Sequence, residues 1–248
     1  MVFKPLVHRR KEFMKPNLLS VIVPAYNEAA SIANTLATVF EVPPFKEVIV
    51  VNDGSKDGTG EIINQLAGDI NKQRPAMLRE LKVIHKGKNE GKGAAIASAL
   101  EVVAGDIVLI QDADLELNPH EYSILLEPFE KLDADVVFGS RFRREGIMRV
   151  HHTIHFLGNK ALTWASNLMT GLYLTDMETC YKVFKTEVIK SFKIETRRFG
   201  IDPELTAKVS RLVKERDLNF YEVPVSYRPR TRAQGKKMAL LKDGLVVL

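Results

Sequence analysis

Two stretches decide how this chain reads: KEVIVVNDGSKDGT at residues 46–59 and DIVLIQDADLE at residues 106–116. Each carries a run of aliphatic and β-branched residues, which predicts a buried strand. Each run then stops abruptly in carboxylates, Asp53 in the first and Asp112 and Asp114 in the second. In an open α/β sheet, ligands bind beyond the carboxyl ends of the strands. Two aspartates one residue apart suit a hard divalent cation, Mg2+ or a relative, that also holds phosphate oxygens. The pair points to a metal-assisted enzyme acting on a nucleotide diphosphate ester.

The surrounding sequence extends the same alternation. Leu19–Pro24 reads as a buried strand before the loop Ala25–Glu28, and Ser31 is the expected N-cap of a helix running to Phe40. Pro43 and Pro44 stop that helix, and Glu47–Val51 forms the second strand. The turn DGSKDGT leads into a helix around Ile62, Ile63 and Leu66. Leu81–His85 is a third strand, GKNEGKG a glycine-rich loop, and Ala94–Val103 a helix of small residues. Asp106–Ile110 gives a fourth strand, Asn118-Pro119 opens another helix, and Asp135–Phe138 is a fifth strand. Strands separated by helices of this length imply βαβ units and a mostly parallel sheet. After Gly139 come a basic segment (Arg141, Arg143, Arg144, Arg149), a histidine group (His151, His152, His155) and a long amphipathic helix from Ile154 to Leu174. DMETCYKVFK, a helix after RRFG, the apolar strand LNFYEVPVSY and a basic, then apolar tail complete the chain.

Composition narrows the class. At 248 residues the chain can bury a full core, and 45% hydrophobic with 27% charged residues is ordinary for a globular protein. A single cysteine, Cys180, excludes a disulfide framework and any all-cysteine metal site. The net charge of +5 favours an anionic partner. Residues 1–17 form a basic leader without the apolar region of a secretory signal. No apolar run reaches the roughly 20 residues of a membrane-spanning helix. The helix at 154–174 is expected either to pack on the core or to lie at a bilayer interface. Trp164 and Met169 then read as core or interface residues, and Cys180 as a small core residue.

From about Leu18 onward the chain resembles the inverting family 2 glycosyltransferases, whose catalytic domain is a GT-A fold. The motifs that carry the likeness are VIVPAYNE (21–28), VVNDGSKDGT (50–59), NEGKGAAI (89–96), QDADLE (111–116), FGSR (138–141), DMETCYKVFK (176–185), FGIDPEL (199–205) and YEVPVSYRPR (221–230). Within the family, the dolichyl- and polyprenyl-phosphate mannosyl- and glucosyltransferases are most similar. The resemblance implies one α/β domain over 18–248, with a nucleotide-sugar half at about 18–140 and an acceptor half at about 141–248. It implies that Pro24, Tyr26 and Glu28 line a nucleoside pocket and that Asp53 contacts the base. Asp112 and Asp114 match the motif for Mg2+ or Mn2+, with Asp114 the direct ligand and Asp112 also serving the nucleotide and the chemistry. Glu116 stands where the polyprenyl-phosphate relatives often carry Gln, which keeps an oxygen ligand and adds charge. Arg141, Arg230 and Lys236 match positions that grip the acceptor phosphate, where a guanidinium fork suits the ligand.

The chemistry fits these assignments. Breaking a sugar–phosphate bond leaves a diphosphate with extra negative charge, which a divalent ion stabilises as a Lewis acid. Backbone N–H groups and Lys88 or Lys92 of the glycine-rich loop would add to it. A phosphate acceptor is already nucleophilic, whereas a sugar or lipid hydroxyl requires a base, with Asp176, Glu178 and Asp202 as candidates. The likeness at DMETC sets Asp176 near the donor sugar. The three histidines share their segment with no carboxylate or cysteine, so a groove lining or solvent exposure is expected, not a metal site.

The expected activity is transfer of a hexose, mannose from GDP-mannose or glucose from UDP-glucose, to a polyprenyl or dolichyl phosphate or a membrane glycolipid. The expected place is peripheral, at the cytoplasmic membrane face, through direct attachment, a homodimer or a separate membrane partner. A sugar-phosphate nucleotidyltransferase is the alternative from another class, but PAYNE occupies the place of its glycine- and arginine-rich loop. Nucleic-acid binding is disfavoured because the basic residues lack aromatic interleaving.

Overall fold

The computed structural model describes residues 18–143, 153–196 and 200–230. The basic leader, Arg144, Arg149, His151, His152 and Lys236 lie outside the described residues. The strands are β1 Leu19–Ala25, β2 Lys46–Asn52, β3 Leu78–His85, β4 Ile107–Ile110, β5 Val136–Ser140, β6 Lys182–Lys185 and β7 Phe220–Pro224. The helices are α1 Ile32–Glu41, α2 Thr59–Lys72, α3 Lys92–Leu100, α4 Tyr122–Lys131, α5 Thr153–Thr170, α6 Thr186–Lys190 and α7 Ile201–Arg216.

All seven strands join one sheet in the order β3-β2-β1-β4-β6-β5-β7. β1 is an interior strand, parallel to its neighbours β2 and β4, and almost every residue in it is buried. That burial on both faces is why its sequence is continuously apolar instead of alternating. Successive side chains serve opposite layers. Val21 and Val23 face a core built with Leu36 and Val39 of α1, Ile63 of α2 and Phe129 of α4. Ile22 faces a second core with Ala95 and Ala99 of α3, Val188 of α6 and Val209 of α7. The result is a three-layer α/β domain with a mostly parallel sheet.

Four expectations need correction. β6 falls inside DMETCYKVFK, where no strand was expected, and it runs antiparallel to both β4 and β5. Its four residues begin and end in lysine, so neither an apolar run nor a clean alternation marks it. Ser31 occupies the N-cap position of α1, but its oxygen accepts no capping hydrogen bond from the helix; its hydroxyl instead donates to Glu28 Oε2 at 2.8 Å. Asn118-Pro119 opens a single 3-10 turn, Pro119–Glu121, with the Asn118 side chain accepting from the His120 amide, before α4 begins. α5 stops at Thr170, four residues early, because Gly171 takes a left-handed φ of +73° and its amide bonds back to Asn167.

Candidate active site

The register places the chemistry. Ala25 pairs with Asn52, and Ile22 pairs with Ile110, so residues 25–28, 52–55 and 111–116 emerge side by side at the carboxyl edge of three adjacent strands. The first two loops are sewn together. Ser55 Oγ accepts from the Asn27 amide at 3.0 Å, Asn27 Oδ1 from the Lys56 amide at 2.8 Å, and Thr59 Oγ1 from the Glu28 amide at 2.8 Å. Asp53 accepts from the Gly91 amide at 2.6 Å and from the Glu90 amide at 3.1 Å. Its carboxylate thus fixes the glycine-rich loop in this structure. Gly54 (φ +69°) makes that approach possible, since a Cβ there would lie 2.4 Å from the carbonyl carbon of Lys88.

The glycine-rich loop delivers Lys92 into the middle of the site. Lys92 Nζ lies 2.7 Å from Asp112 Oδ1 and 3.2 Å from Cys180 Sγ. Burial pulls the ammonium toward neutrality, but Asp112 outweighs it and holds Lys92 well above its ordinary value. Burial likewise opposes ionisation of Asp112, yet Lys92 keeps its carboxyl below the usual aspartate value. Burial, then Asp112, pushes the Cys180 thiol far up, so it stays protonated. Cys180 packs against the hydrophobic core, as expected, and its Sγ also contacts Lys92.

Asp114 and Glu116 meet Arg230. The guanidinium reaches Asp114 Oδ2 at 2.9 Å and Glu28 Oε2 at 2.8 Å, while the Arg230 amide donates to Glu116 Oε1 at 2.9 Å. Tyr227 OH donates to the other Glu116 oxygen at 2.8 Å. Arg230 thus sits among the acidic residues at the ends of β1 and β4, paired with Glu28 and Asp114. Burial first, then Asp112 and Glu116, lifts the Asp114 carboxyl to about 7, against the pull of Arg230.

A divalent ion must be judged against this donor set. Among the described residues no three His, Cys, Asp or Glu side chains converge on one point. Mg2+ usually takes one or two carboxylates and completes its shell with substrate phosphates and water. Asp114 and Glu116 supply hard oxygens, and the guanidinium between Asp114 and Glu28 shows that the place accepts positive charge. The residues fit the ion on condition that Arg230 withdraws.

The second half of the site surrounds DMETCYK. Arg141, just beyond β5, forms a two-pronged pair with Asp176, Nε–Oδ2 and Nη2–Oδ1 both 2.7 Å, and Nη2 also reaches Asn159 of α5 at 3.2 Å. Asp176 is fully buried. Glu222 on β7 fixes this segment by accepting from the amides of Thr175 at 2.9 Å and Asp176 at 3.1 Å. Asp202, in the first turn of α7, is held at 2.5 Å by Lys182 Nζ, which is itself buried and lies over the Phe138 ring at 4.8 Å. Glu178 differs from both aspartates. Its Oε1 is buried without a hydrogen-bond partner, and burial, then Asp202, raises its carboxyl to about 7. A cavity of about 520 Å3 lies between α1 and α2 near Pro75–Met77, at the amino ends of the strands and away from all these groups.

Comparison with known proteins agrees. The profile of "Glycosyl transferase family 2" matches residues 20–190. The chain belongs to glycosyl transferase family 2. It is 30% identical over 225 residues to the undecaprenyl-phosphate mannosyltransferase of Micrococcus luteus, covering 87% of this chain and 85% of that one. It is 26% identical to the polyprenol monophosphomannose synthase of Mycolicibacterium smegmatis, over 85% of this chain and 77% of that one. Among solved structures, a mannosyltransferase from Pyrobaculum calidifontis in complex with GDP-Man and Mn2+ superposes with a TM-score of 0.61 at 20% identity, covering 89% of this chain and 59% of that one. Glucosyl-3-phosphoglycerate synthase from Mycobacterium tuberculosis with Mn2+ and UDP-glucose gives 0.63 at 18% identity, covering 93% and 77%. These likenesses fix the fold as GT-A, and the chain is a hexosyltransferase of family 2.

For a family 2 enzyme, sequence reasoning missed four contributors. Lys182 and Glu222 are charged residues within strands, Gln111 is a buried amide beneath the acidic motif, and Cys180 contacts Lys92. Gln111 Oε1 accepts from the hydroxyls of Tyr122 at 3.0 Å and Tyr181 at 2.8 Å, bracing the end of β4. The usable signal was similar in the first three: a polar side chain within or at the end of a strand, which burial tolerates only when it is paired.

Proposed function

We propose that the protein transfers a hexose with inversion from a nucleotide sugar, GDP-mannose or UDP-glucose, to a polyprenyl or dolichyl phosphate at the cytoplasmic face of a membrane. The observation that carries the choice of acceptor is the pairing of two aspartates, buried Asp176 and half-buried Asp202, with cations. Asp176 is clamped by Arg141 and Asp202 by Lys182. Both carboxylates are engaged by cations instead of standing open to take a proton from an acceptor hydroxyl. A phosphate acceptor needs no base, so the arrangement suits it.

In this reading the loops carrying Pro24, Tyr26, Glu28 and Asp53 hold the nucleoside, and Lys92 with the amides of its loop faces the diphosphate. Asp114, with Glu116 or Asp112, would hold Mg2+ or Mn2+, which supplies Lewis-acid stabilisation of the departing diphosphate. Arg230 leaves its carboxylates and turns toward phosphate oxygens. Arg141 has committed Nε and Nη2 to Asp176 and Asn159, which orients Nη1 for an acceptor phosphate. The acceptor oxygen attacks the anomeric carbon from the face opposite the leaving group.

One observation favours a second reading. Glu178 keeps a buried Oε1 without a hydrogen-bond partner and has its carboxyl lifted to about 7, which matches a general base for a hydroxyl acceptor. The test is a screen of nucleotide sugars with Mn2+, followed by transfer to polyprenyl phosphate by wild type, Asp114→Ala and Glu178→Gln. Loss in Asp114→Ala with retention in Glu178→Gln is expected. Turnover in excess chelator would remove the metal from the scheme, and a wild type that ignores polyprenyl phosphate but glycosylates a hydroxyl-bearing glycolipid, with that transfer lost in Glu178→Gln, would move the choice to the hydroxyl acceptor.

A further inference from the structure

We propose that the outward face of α5 is the surface by which this protein lies on an anionic lipid bilayer. Large apolar side chains stand in water along one stripe: Leu157 58% exposed, Trp164 69%, Leu168 72% and Met169 85%, with Tyr173 just past the helix at 91%. Exposed Ala161 fills the gap, so positions 157, 161, 164 and 168 keep helical spacing on a single face. The opposite face is committed to the fold. Thr163 Oγ1 accepts from the Met177 amide, Asn167 bonds to both the amide and the carbonyl of Leu174, and Thr163 and Thr170 are buried. Monomeric proteins rarely expose a contiguous apolar strip of this kind without a partner.

Charge selects the partner. From Gly146 to Thr175 the sequence holds no Asp or Glu, while Arg149 and Lys160 fall within it and Arg143 precedes it. Arg143 is exposed at the rim of a cleft of about 340 Å3, whose other walls include Leu172, Tyr173, Val213 and Phe220. An apolar stripe with Trp and Tyr, in a stretch of sequence that carries basic but no acidic residues, is the pattern of a helix lying in a bilayer interface. Trp and Tyr favour that level because one end of each is apolar and the other polar. No helix among the described residues is long and apolar enough to cross a membrane, so the contact is lateral.

Placement ties this surface to the chemistry. Asn159 of α5 holds Arg141, and Lys160 Nζ donates to the Thr175 carbonyl at 3.0 Å beside Asp176. A bilayer against α5 therefore brings headgroups to the Arg141 end of the site. This orientation rests on the lipid-phosphate reading above; the surface itself does not.

Trp164 is the sole tryptophan, so the full chain reports on its own stripe. Titration with phosphatidylcholine vesicles containing phosphatidylglycerol is expected to shift its emission to the blue and to quench it when the acyl chains are brominated. The double variant Leu157→Glu, Leu168→Glu is expected to lose at least about tenfold in vesicle partitioning, because two leucine side chains no longer enter the apolar layer. Its binding of nucleoside diphosphate in solution should not change. Emission that ignores anionic vesicles overturns the proposal. So does a blue shift driven by protein concentration alone, which would mean a second copy covers the stripe. An emission already blue without lipid, and shifted red by deleting residues 231–248, would assign the stripe to the tail and overturn it too. Transfer to polyprenyl phosphate in detergent without a vesicle response would refute the surface and leave the function standing. A vesicle response without transfer to any lipid phosphate would do the reverse.

Discussion

Replacing Glu178 by Gln should stabilise the protein at alkaline pH relative to acid pH, and the size follows from its surroundings. Glu178 lies among Asp202 and Asp176, which oppose its ionisation, and Lys182 and Arg141, which favour it; burial tips the balance and lifts the carboxyl from 4.5 to about 7. The folded chain therefore keeps a proton that the unfolded chain releases near 4.5. Stability falls as pH rises through this window, because the folded state binds more protons there. A shift of about 2.5 units at 1.36 kcal/mol each gives about 3 kcal/mol in full. Between pH 5 and pH 8, with part of the carboxyl still in water, about 2 kcal/mol of that is lost. Glutamine keeps the shape and cannot ionise. Any cost from its amide is the same at both pH values and cancels in the difference. Urea unfolding followed by far-ultraviolet circular dichroism at pH 5 and pH 8 measures it. Equal variant-minus-wild-type differences at the two pH values would refute the reasoning, as would a relative loss at pH 8.

Three further outcomes are expected. Arg230→Gln should bind Mn2+ about tenfold more tightly without nucleotide, since a charge-assisted hydrogen bond to Asp114, roughly 1.4 kcal/mol or more, no longer competes; transfer should fall, and calorimetry showing unchanged or weaker Mn2+ binding would count against a guanidinium in the cation's place. Mn2+ affinity of the wild type should rise about tenfold per pH unit below about 7 and level above it, because the ion must displace the Asp114 proton; a flat profile by calorimetry would contradict this. Gly54→Ala should cost about 2 kcal/mol or more in urea unfolding, from the left-handed φ and the 2.4 Å approach to Lys88, and a neutral effect would mean the two loops are not in contact.

The sequence revealed most where one local rule was enough. β1, β2, β4 and β5 announce themselves as apolar runs, and Asp53, Asp112 and Asp114 stand out because carboxylates end those runs. What it concealed depends on pairing across distance. Nothing local tells that Lys92 meets Asp112 or that Arg230 crosses the chain to Glu28 and Asp114. β6 stayed hidden for the same reason. Its lysines look like solvent contacts until Asp202 supplies the partner that lets Lys182 be buried. Asp176 looked available as a base for want of any sign that Arg141 would enclose it.

The reversed strand has a practical consequence for anyone wishing to redesign acceptor choice. β6 wedges residues 182–185 between strands formed earlier in the chain, so the segment carrying Asp176, Glu178 and Lys182 is hydrogen-bonded to the donor-side framework. A chimera spliced after Ser140 would graft a foreign ribbon between two native ones, and every mismatch in its four residues would be felt at the acidic motif next door. Exchanges of specificity should instead leave 106–140 and 176–190 from one parent and vary α5 and the residues beyond β7.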